Sequence, residues 1–599
     1  MLRKLLVVSV TLMLTLSIAC SKKKEEGTAG PRAIRDAALP ESIELPDQAI
    51  GVAIFAEPAR VFADLEKLAA LVGPVPPGAL TAAVYQGLLQ VGLKDTSVVD
   101  LNGPAGLLIL DPKQHKAPVV MACTVKSKQS LIESSKPTWN RKGEQDDVIE
   151  LTRDVVDTYG VYKGGAQAPP KITQSIFLKF SDHTLIVAND REAMKIGAPI
   201  LGKLLTSGHG VFGTLRIDHL RKIFATELAG LPAMLKRQLA AGRSMQQFPD
   251  PEKMQWFMGW MVDKMIALLD QTREVTFAAD CDKNGASVEM GIKPEDGSFF
   301  AKLLAAQKHS PLKLIDALPE DHFMVMGVNV QWDLFKPDLI DFTKEIFKVF
   351  FEKELSAELI AVFQQMWQVL GDEIAFSENL GATGLSAVEF FTVKDEAKAR
   401  EVFEKSFALV AKLLGNKGDV MGIKFSLEGP SDAGEHDGVK LQSFKMSFDT
   451  SGLDAIRAKA IKNVYGGDFK MALAVFDKKA GLAIGQKAVA DLSAAIDRSR
   501  GKGKGFSASP AFINAAGPRA SDSGGFVFMS MSRAIVAGIE STYAALDKPA
   551  PKLNLPPSKS GLFIDFSSKP TKLNVNLRMP AEHLQEMGQA IKQLTSLGH

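Results

Sequence analysis

Four blocks in the first half of the chain recur in the same order in the second half. A repeated succession of strands and helices restricts the fold more than any single motif does. The segment LPDQAIGVAIFAEPARVFADLEKL (45–68) matches LPEDHFMVMGVNVQWDLFKPDLIDF (318–342), each with Leu-Pro-acid, an alternating apolar strand and an amphipathic helix. SIFLKFSDHTLIVANDREAM (175–194) matches MALAVFDKKAGLAIGQKAVA (471–490) as strand, polar turn, strand and helix. GVFGTLRIDHL (210–220) pairs with GFVFMSMSRAI (525–535) as a strand entering a helix. EVTFAADCDKNGASVEMGIKP (274–294) pairs with GLFIDFSSKPTKLNVNLRMP (561–580), two hairpins turning at Lys283-Asn284-Gly285 and Lys569-Pro570-Thr571. Gly and Pro suit such turns.

The order predicts two homologous modules, 36–308 and 309–599, joined near His309-Ser310-Pro311. Consecutive hairpins and amphipathic helices predict the α+β class, each module mainly antiparallel sheet with helices packed on one face. A length of 599 residues exceeds what one core supports, in keeping with several domains. Hydrophobic content of 46% and charged content of 23% are those of a globular chain. The net charge is +2 without a basic stripe, so a nucleic-acid partner is not expected.

The block order, with Ala38-Leu39-Pro40, Ala317-Leu318-Pro319-Glu320 and Ser507-Ala508-Ser509-Pro510-Ala511-Phe512, resembles large uncharacterised bacterial envelope families. The resemblance covers most of the chain and implies a tandem α+β body; no activity comes with it.

The amino terminus predicts an address. Arg3 and Lys4 precede an apolar run at 5–16, the length of a secretory signal and too short for a permanent span of about 20 residues. The run ends in Ser17-Ile18-Ala19-Cys20, which resembles the lipobox of bacterial prolipoproteins, with Ser17 where that family prefers Leu. The resemblance implies a signal peptide at 1–19, cleavage before Cys20, and acyl chains including palmitate on Cys20. Several chains anchor durably where one does not. Ser21, not Asp, follows the cysteine, which implies the outer membrane facing the periplasm. Residues 20–35, charged and Gly/Pro-punctuated, read as a lipidated flexible tether. Lys22 to Lys24 suit a solvated spacer better than a headgroup contact.

Catalytic signatures are missing. There is no Gly-x-Ser-x-Gly and no His-Glu-x-x-His among the nine histidines. His183, His209 and His219 make a poor metal trio, and Glu144, Asp146, Asp147, Asp154 and Asp157 read as solvated acids. GKGKGF (501–506) lacks the phosphate-loop frame and reads as a basic loop. GPSDAGEHDG (429–438) carries Asp432, Glu435 and Asp437 without the terminal Glu of a calcium loop. Cys123 and Cys281 sit in strand-like runs and read as separate half-buried thiols, although an oxidising envelope permits a disulfide. No catalytic residue, metal or cofactor is expected.

The most unusual stretch is PEKMQWFMGWMVDKMIALLD (251–270), where Met254, Phe257, Met258, Trp260, Met261, Met265 and Leu268 make a wide apolar face at helical spacing. Pro251 suits its first turn, with Asp250 as cap. Core packing is the expected use of that face. A methionine-rich binding surface is the alternative. Balanced acids and bases argue against membrane contact. Residues 343–370 read as two helices broken near Leu355-Ser356, with Trp367 facing a groove between modules. Trp256, Trp260, Met261 and Trp367 are the candidate apolar-ligand or partner residues. The expected function is a non-enzymatic binding or structural lipoprotein, with an envelope protein as possible partner. The alternative is a carrier or chaperone for a lipid or other apolar ligand, which needs a cleft open to solvent. An unfamiliar enzyme type would need convergent polar groups in a pocket.

Overall fold

The computed structural model describes residue 39 and residues 43–597, except 73–75, 77, 91–94, 116, 137, 157–170, 206–209, 242–250, 308–309, 352–353, 382–383, 415–417, 421–422, 452, 454, 466–468, 518–523, 546–549, 552, 554 and 556–557. The expected signal peptide, Cys20, the tether, Asp157, His209 and Asp250 lie outside the described residues. The described chain falls into two compact units. The first holds residues up to Thr226 with Thr272–Lys293, and the second holds Glu227–Gln271 with the chain from Pro294 onward. Compactness is a different quantity from the duplication read in the sequence.

The first unit contains β1 (Ala49–Phe55), β2 (Ala105–Leu110), β3 (Val119–Thr124), β4 (Asn140–Gln145), β5 (Val148–Val156), β6 (Lys171–Ser181), β7 (Thr184–Ala188), β8 (Val211–Arg216), β9 (Thr272–Asp282) and β10 (Gly285–Pro294). Its helices are α1 (Pro58–Ala69), α2 (Ala79–Gln90), α3 (Lys128–Ser135), α4 (Arg191–Leu204) and α5 (Ile217–Ile223). The strands pair antiparallel in the order β4-β5-β6-β7-β3-β2-β1-β8-β9-β10. Side chains alternate across a strand, so Val52, Ile54, Leu108, Leu110 and Val120 share one face, packed on Ala193, Met194, Ala198 and Leu201 of α4. Gly197 lets that helix approach, because a Cβ there would stand 2.7 Å from the Val120 side chain. The other face carries a second cluster, where Ile149, Leu151, Leu178 and Leu185 meet Leu131 of α3 and Trp139.

The second unit opens with α6 (Leu231–Ala241), α7 (Pro251–Asp270) and α8 (Phe299–Ala306). Its strands are β11 (Met324–Asn329), β12 (Leu370–Gly381), β13 (Gly384–Val393), β14 (Gly418–Val420), β15 (Ile423–His436), β16 (Val439–Asp449), β17 (Phe469–Phe476), β18 (Lys479–Gly485), β19 (Gly525–Met529), β20 (Leu562–Lys569) and β21 (Lys572–Pro580). Between and after them run α9 (Trp332–Phe351), α10 (Ala357–Val369), α11 (Glu396–Leu414), α12 (Ala455–Tyr465), α13 (Ala488–Ser499), α14 (Pro510–Ala516), α15 (Met531–Ala545) and α16 (Ala581–Leu597). The antiparallel order is β14-β15-β16-β17-β18-β13-β12-β11-β19-β20-β21.

Strand β17 (FKMALAVF) serves two cores. Ala472, Ala474 and Phe476 join Leu492, Ala495 and Ile496 of α13 and the rings of Phe506, Phe512, Phe526, Phe528 and Phe563. Met471, Leu473 and Val475 point the other way, to Val362 and Trp367 of α10 and Val402 and Phe403 of α11. The aromatic rings of the first core lie 5.0–5.8 Å apart, tilted, edge-on or stacked. Each fully buried ring contributes roughly 1.5–3 kcal/mol. The mixed α+β class and the antiparallel sheet agree with the sequence reading. The expectation of helices on one face is corrected, because apolar clusters cover both faces of each sheet.

Each of the eight repeated blocks folds as its pattern predicts: β1-α1 and β11-α9, β6-β7-α4 and β17-β18-α13, β8-α5 and β19-α15, β9-β10 and β20-β21. The β17–β18 turn places Asp477 and Lys478 at φ of 45° and 55°, the left-handed pair that two-residue hairpins require. The break near Leu355-Ser356 is real: Ser356 caps α10, its hydroxyl accepting the Leu359 N–H at 3.1 Å.

Candidate binding surface

Helix α7 builds the candidate surface. Steps of four, three, four and three residues bring Met254, Met258, Met261, Met265 and Leu268 to one face, with Leu269 beside them. The N-terminal pair is half-buried. From there the stripe emerges: Met261 is 41% exposed, Met265 61%, and Leu268 and Leu269 45% each. These are among the few large apolar side chains the described residues expose, and Met234 on α6 (45%) is another. The expectation that this face packs in a core is therefore corrected for its C-terminal half.

The rest of α7 holds it in place. Asp263 accepts from Lys236 Nζ of α6 at 2.7 Å, and Gly259 passes the Lys236 stem with room to spare. Val262 is buried. Trp260 stacks on Phe342 of α9 with ring centroids 4.1 Å apart and planes 23° from parallel. Phe257 stacks beyond it at 6.4 Å, and Lys264 Nζ stands 5.7 Å from the Trp260 centroid. Trp260 is thus an anchor of the helix, Met261 a member of the exposed stripe, and Trp256 a half-buried neighbour.

Trp367 belongs elsewhere. It is 6% exposed on α10, stacks on Phe363 at 6.4 Å, and closes a crevice of about 150 Å³ with Ile340, Thr343, Leu355 and Ile360, too narrow for water. The structure does not bring it to the α7 stripe. A shallow open groove of about 420 Å³ runs along α6 over Gly230, Ala233, Met234, Arg237 and Gln238. Those positions recur at helical spacing on a side of α6 turned away from Lys236.

Two loops flagged in the sequence meet each other. Arg500, at the end of α13, binds Asp477 and Asp437 at 2.8 Å each, and Lys502 also reaches Asp437. Hydrogen bonds from Lys502 and Arg500 hold Asp437 down at about 2. Asp437 of the acidic turn is thus paired with the basic loop. No cluster of three metal-ligating side chains occurs among the described residues. His183 sits in the β6–β7 turn, while His219 on α5 lies 2.7 Å from Arg216.

One convergence escaped sequence reasoning. Ser532, Ser558, His583 and Glu586 gather between α15 and α16. Ser558 and Ser532 donate to Glu586 at 2.7 and 3.2 Å, and Lys559 N–H donates at 2.8 Å. Burial opposes ionisation of Glu586, but the nearby His583 and hydrogen bonds from Ser558 and Lys559 outweigh it and hold the carboxyl below its ordinary range. His583 is fully buried, and its Nε2 accepts the Met531 N–H at 3.4 Å. Neither Ser532 nor Ser558 hydrogen-bonds the imidazole, whose Nδ1 stands 3.7 Å from Glu586, beyond ordinary hydrogen-bond length. A nucleophile activated by His583 would need that bond. No sequence signal unites residues so far apart in the chain.

No protein-family model matches the chain, no curated protein matches it, and no solved structure matches it.

Proposed function

We propose that this chain is a bacterial envelope lipoprotein, anchored through acyl chains on Cys20, whose body is a non-enzymatic binding module. The exposed methionine–leucine stripe of α7 carries the reading. Folding leaves large apolar side chains in water at a cost, and contiguous exposure of this kind marks an interaction surface. Methionine suits such a surface because its unbranched, polarisable chain adapts to a partner. The signal-like run ending at Cys20 supplies the address, facing the periplasm from the outer membrane. We also propose that the two halves descend from one duplicated module, 36–308 and 309–599. The support is order: β1-β2-β3 and β4 to β10 have counterparts in β11-β12-β13 and β15 to β21, neighbour for neighbour, with β14 as the addition.

Denaturing mass spectrometry of the protein purified from membranes tests the anchor. The expected mass is that of a chain beginning at Cys20 with diacylglyceryl and acyl groups. An unmodified chain starting elsewhere would refute it. A carrier role, the second reading, has the open groove over α6 in its favour. Native mass spectrometry decides it, since a carrier retains a lipid-sized mass and a binding module does not.

A further inference from the structure

We propose that the exposed stripe of α7 docks on a lipid surface, lying in the headgroup boundary of the membrane to which the chain is tied. The proposal rests on the anchored-lipoprotein reading and names the partner of the same surface.

Charge on α7 is sorted by side. Lys253 and Lys264 each precede a stripe methionine by one residue, so they flank the stripe, in line with Phe257 and Trp260. Glu252, Asp263 and Asp270 share the opposite side, where Asp263 is held by Lys236. A count of charges along the helix is balanced; their placement is not. An apolar face edged by lysine, with its acids turned away, is the arrangement of an interfacial helix. Lysine stems cover apolar surface while their ammonium groups meet anionic headgroups. The helix rises about 30 Å over its 20 residues, and the exposed part of the stripe occupies its last three turns.

The tether supports the same occupant. From Cys20 to Leu39 the chain spans at most about 65 Å at full extension. A body held that close meets the membrane at high effective concentration, which strengthens the lipid affinity that the stripe has on its own.

The test uses the full chain reconstituted in vesicles of phosphatidylcholine and phosphatidylglycerol, 3:1. A nitroxide is placed at Met265→Cys on the stripe or Ala267→Cys on the far side. Cys123 and Cys281 stay unlabelled because their thiols are protonated and largely buried. The expected result is a label at 265 that collides more with oxygen than with a water-soluble nickel complex, and the reverse at 267. Met265→Asp with Leu268→Asp should lower vesicle partitioning of the Cys20→Ser chain roughly tenfold. A label at 265 as open to nickel as that at 267 overturns the proposal. So does a label shielded from both reagents, which reports a protein partner or a second copy on the stripe. The anchor is judged separately by mass. A chain without acyl groups whose label still enters the vesicles refutes the anchor and leaves the stripe proposal standing.

Discussion

Glu389 lies in the middle of β13, opposite Phe376 of β12 and Leu482 of β18. Burial among these apolar neighbours pushes its carboxyl up to about 7. The unfolded chain titrates near 4.3, so between those values the folded protein holds the extra proton. Stability therefore falls as pH rises from about 4.5 through 7, and stays low above. Glu389→Gln removes the ionisable group without changing the shape. It should raise unfolding free energy at pH 8 by on the order of 1–3 kcal/mol and change little at pH 4.5. Denaturant titrations at the two pH values check this; an equal gain at both would mean that charge burial is not the cause.

At the scale of one element, α7 shows how a single helix divides its labour. Its apolar residues are spread around more than half the wheel, which the sequence reading assigns to core packing. The structure separates an anchoring side, with Trp260 on Phe342, from an exposed side at Met265. Trp260→Ala should cost about 2–4 kcal/mol, through lost stacking and the cavity left on α9. Met265→Ala should stay within about 0.5 kcal/mol of the parent, as surface substitutions do. Equilibrium unfolding of the two variants measures the contrast, and similar losses would place Met265 in a packed core. The break before α10 was legible because Ser356 is a capping residue at a change of periodicity. The outward turn of the stripe was not, because periodicity reports which residues share a face and not what covers it.

The whole molecule brings distant parts of the chain under geometric rules that no local pattern contains. Cys123 on β3 and Cys281 on β9 belong to one sheet, with β2, β1 and β8 between them. Four strand spacings separate them by about 19 Å, far beyond the roughly 7 Å limit for a disulfide. Both are free, as the sequence favoured. Burial pushes their thiols up to about 11 and about 12, leaving at most about one part in a thousand as thiolate at pH 8. Alkylation of the native protein should therefore leave both unmodified, while unfolding exposes both without reductant. A mass that shifts only after reduction would contradict the strand order. The same rules explain the helices on both faces of each sheet. A run such as FKMALAVF has no polar side to give to water, so both of its faces must be covered. That signal was present in the sequence.

The sequence by itself determined the succession of strands, turns and helices, because alternation, turn residues and caps act between near neighbours. It also carried the export-like start, which is a matter of composition. The structure decided the rest. It put Trp367 in a core and Met265 in water, joined the basic loop at Lys502 to the acidic turn at Asp437, and assembled the Ser558–Glu586 network. Each of these depends on which surfaces far apart in the chain are pressed together. Burial is a property of that packing, and no local pattern of residue types encodes it.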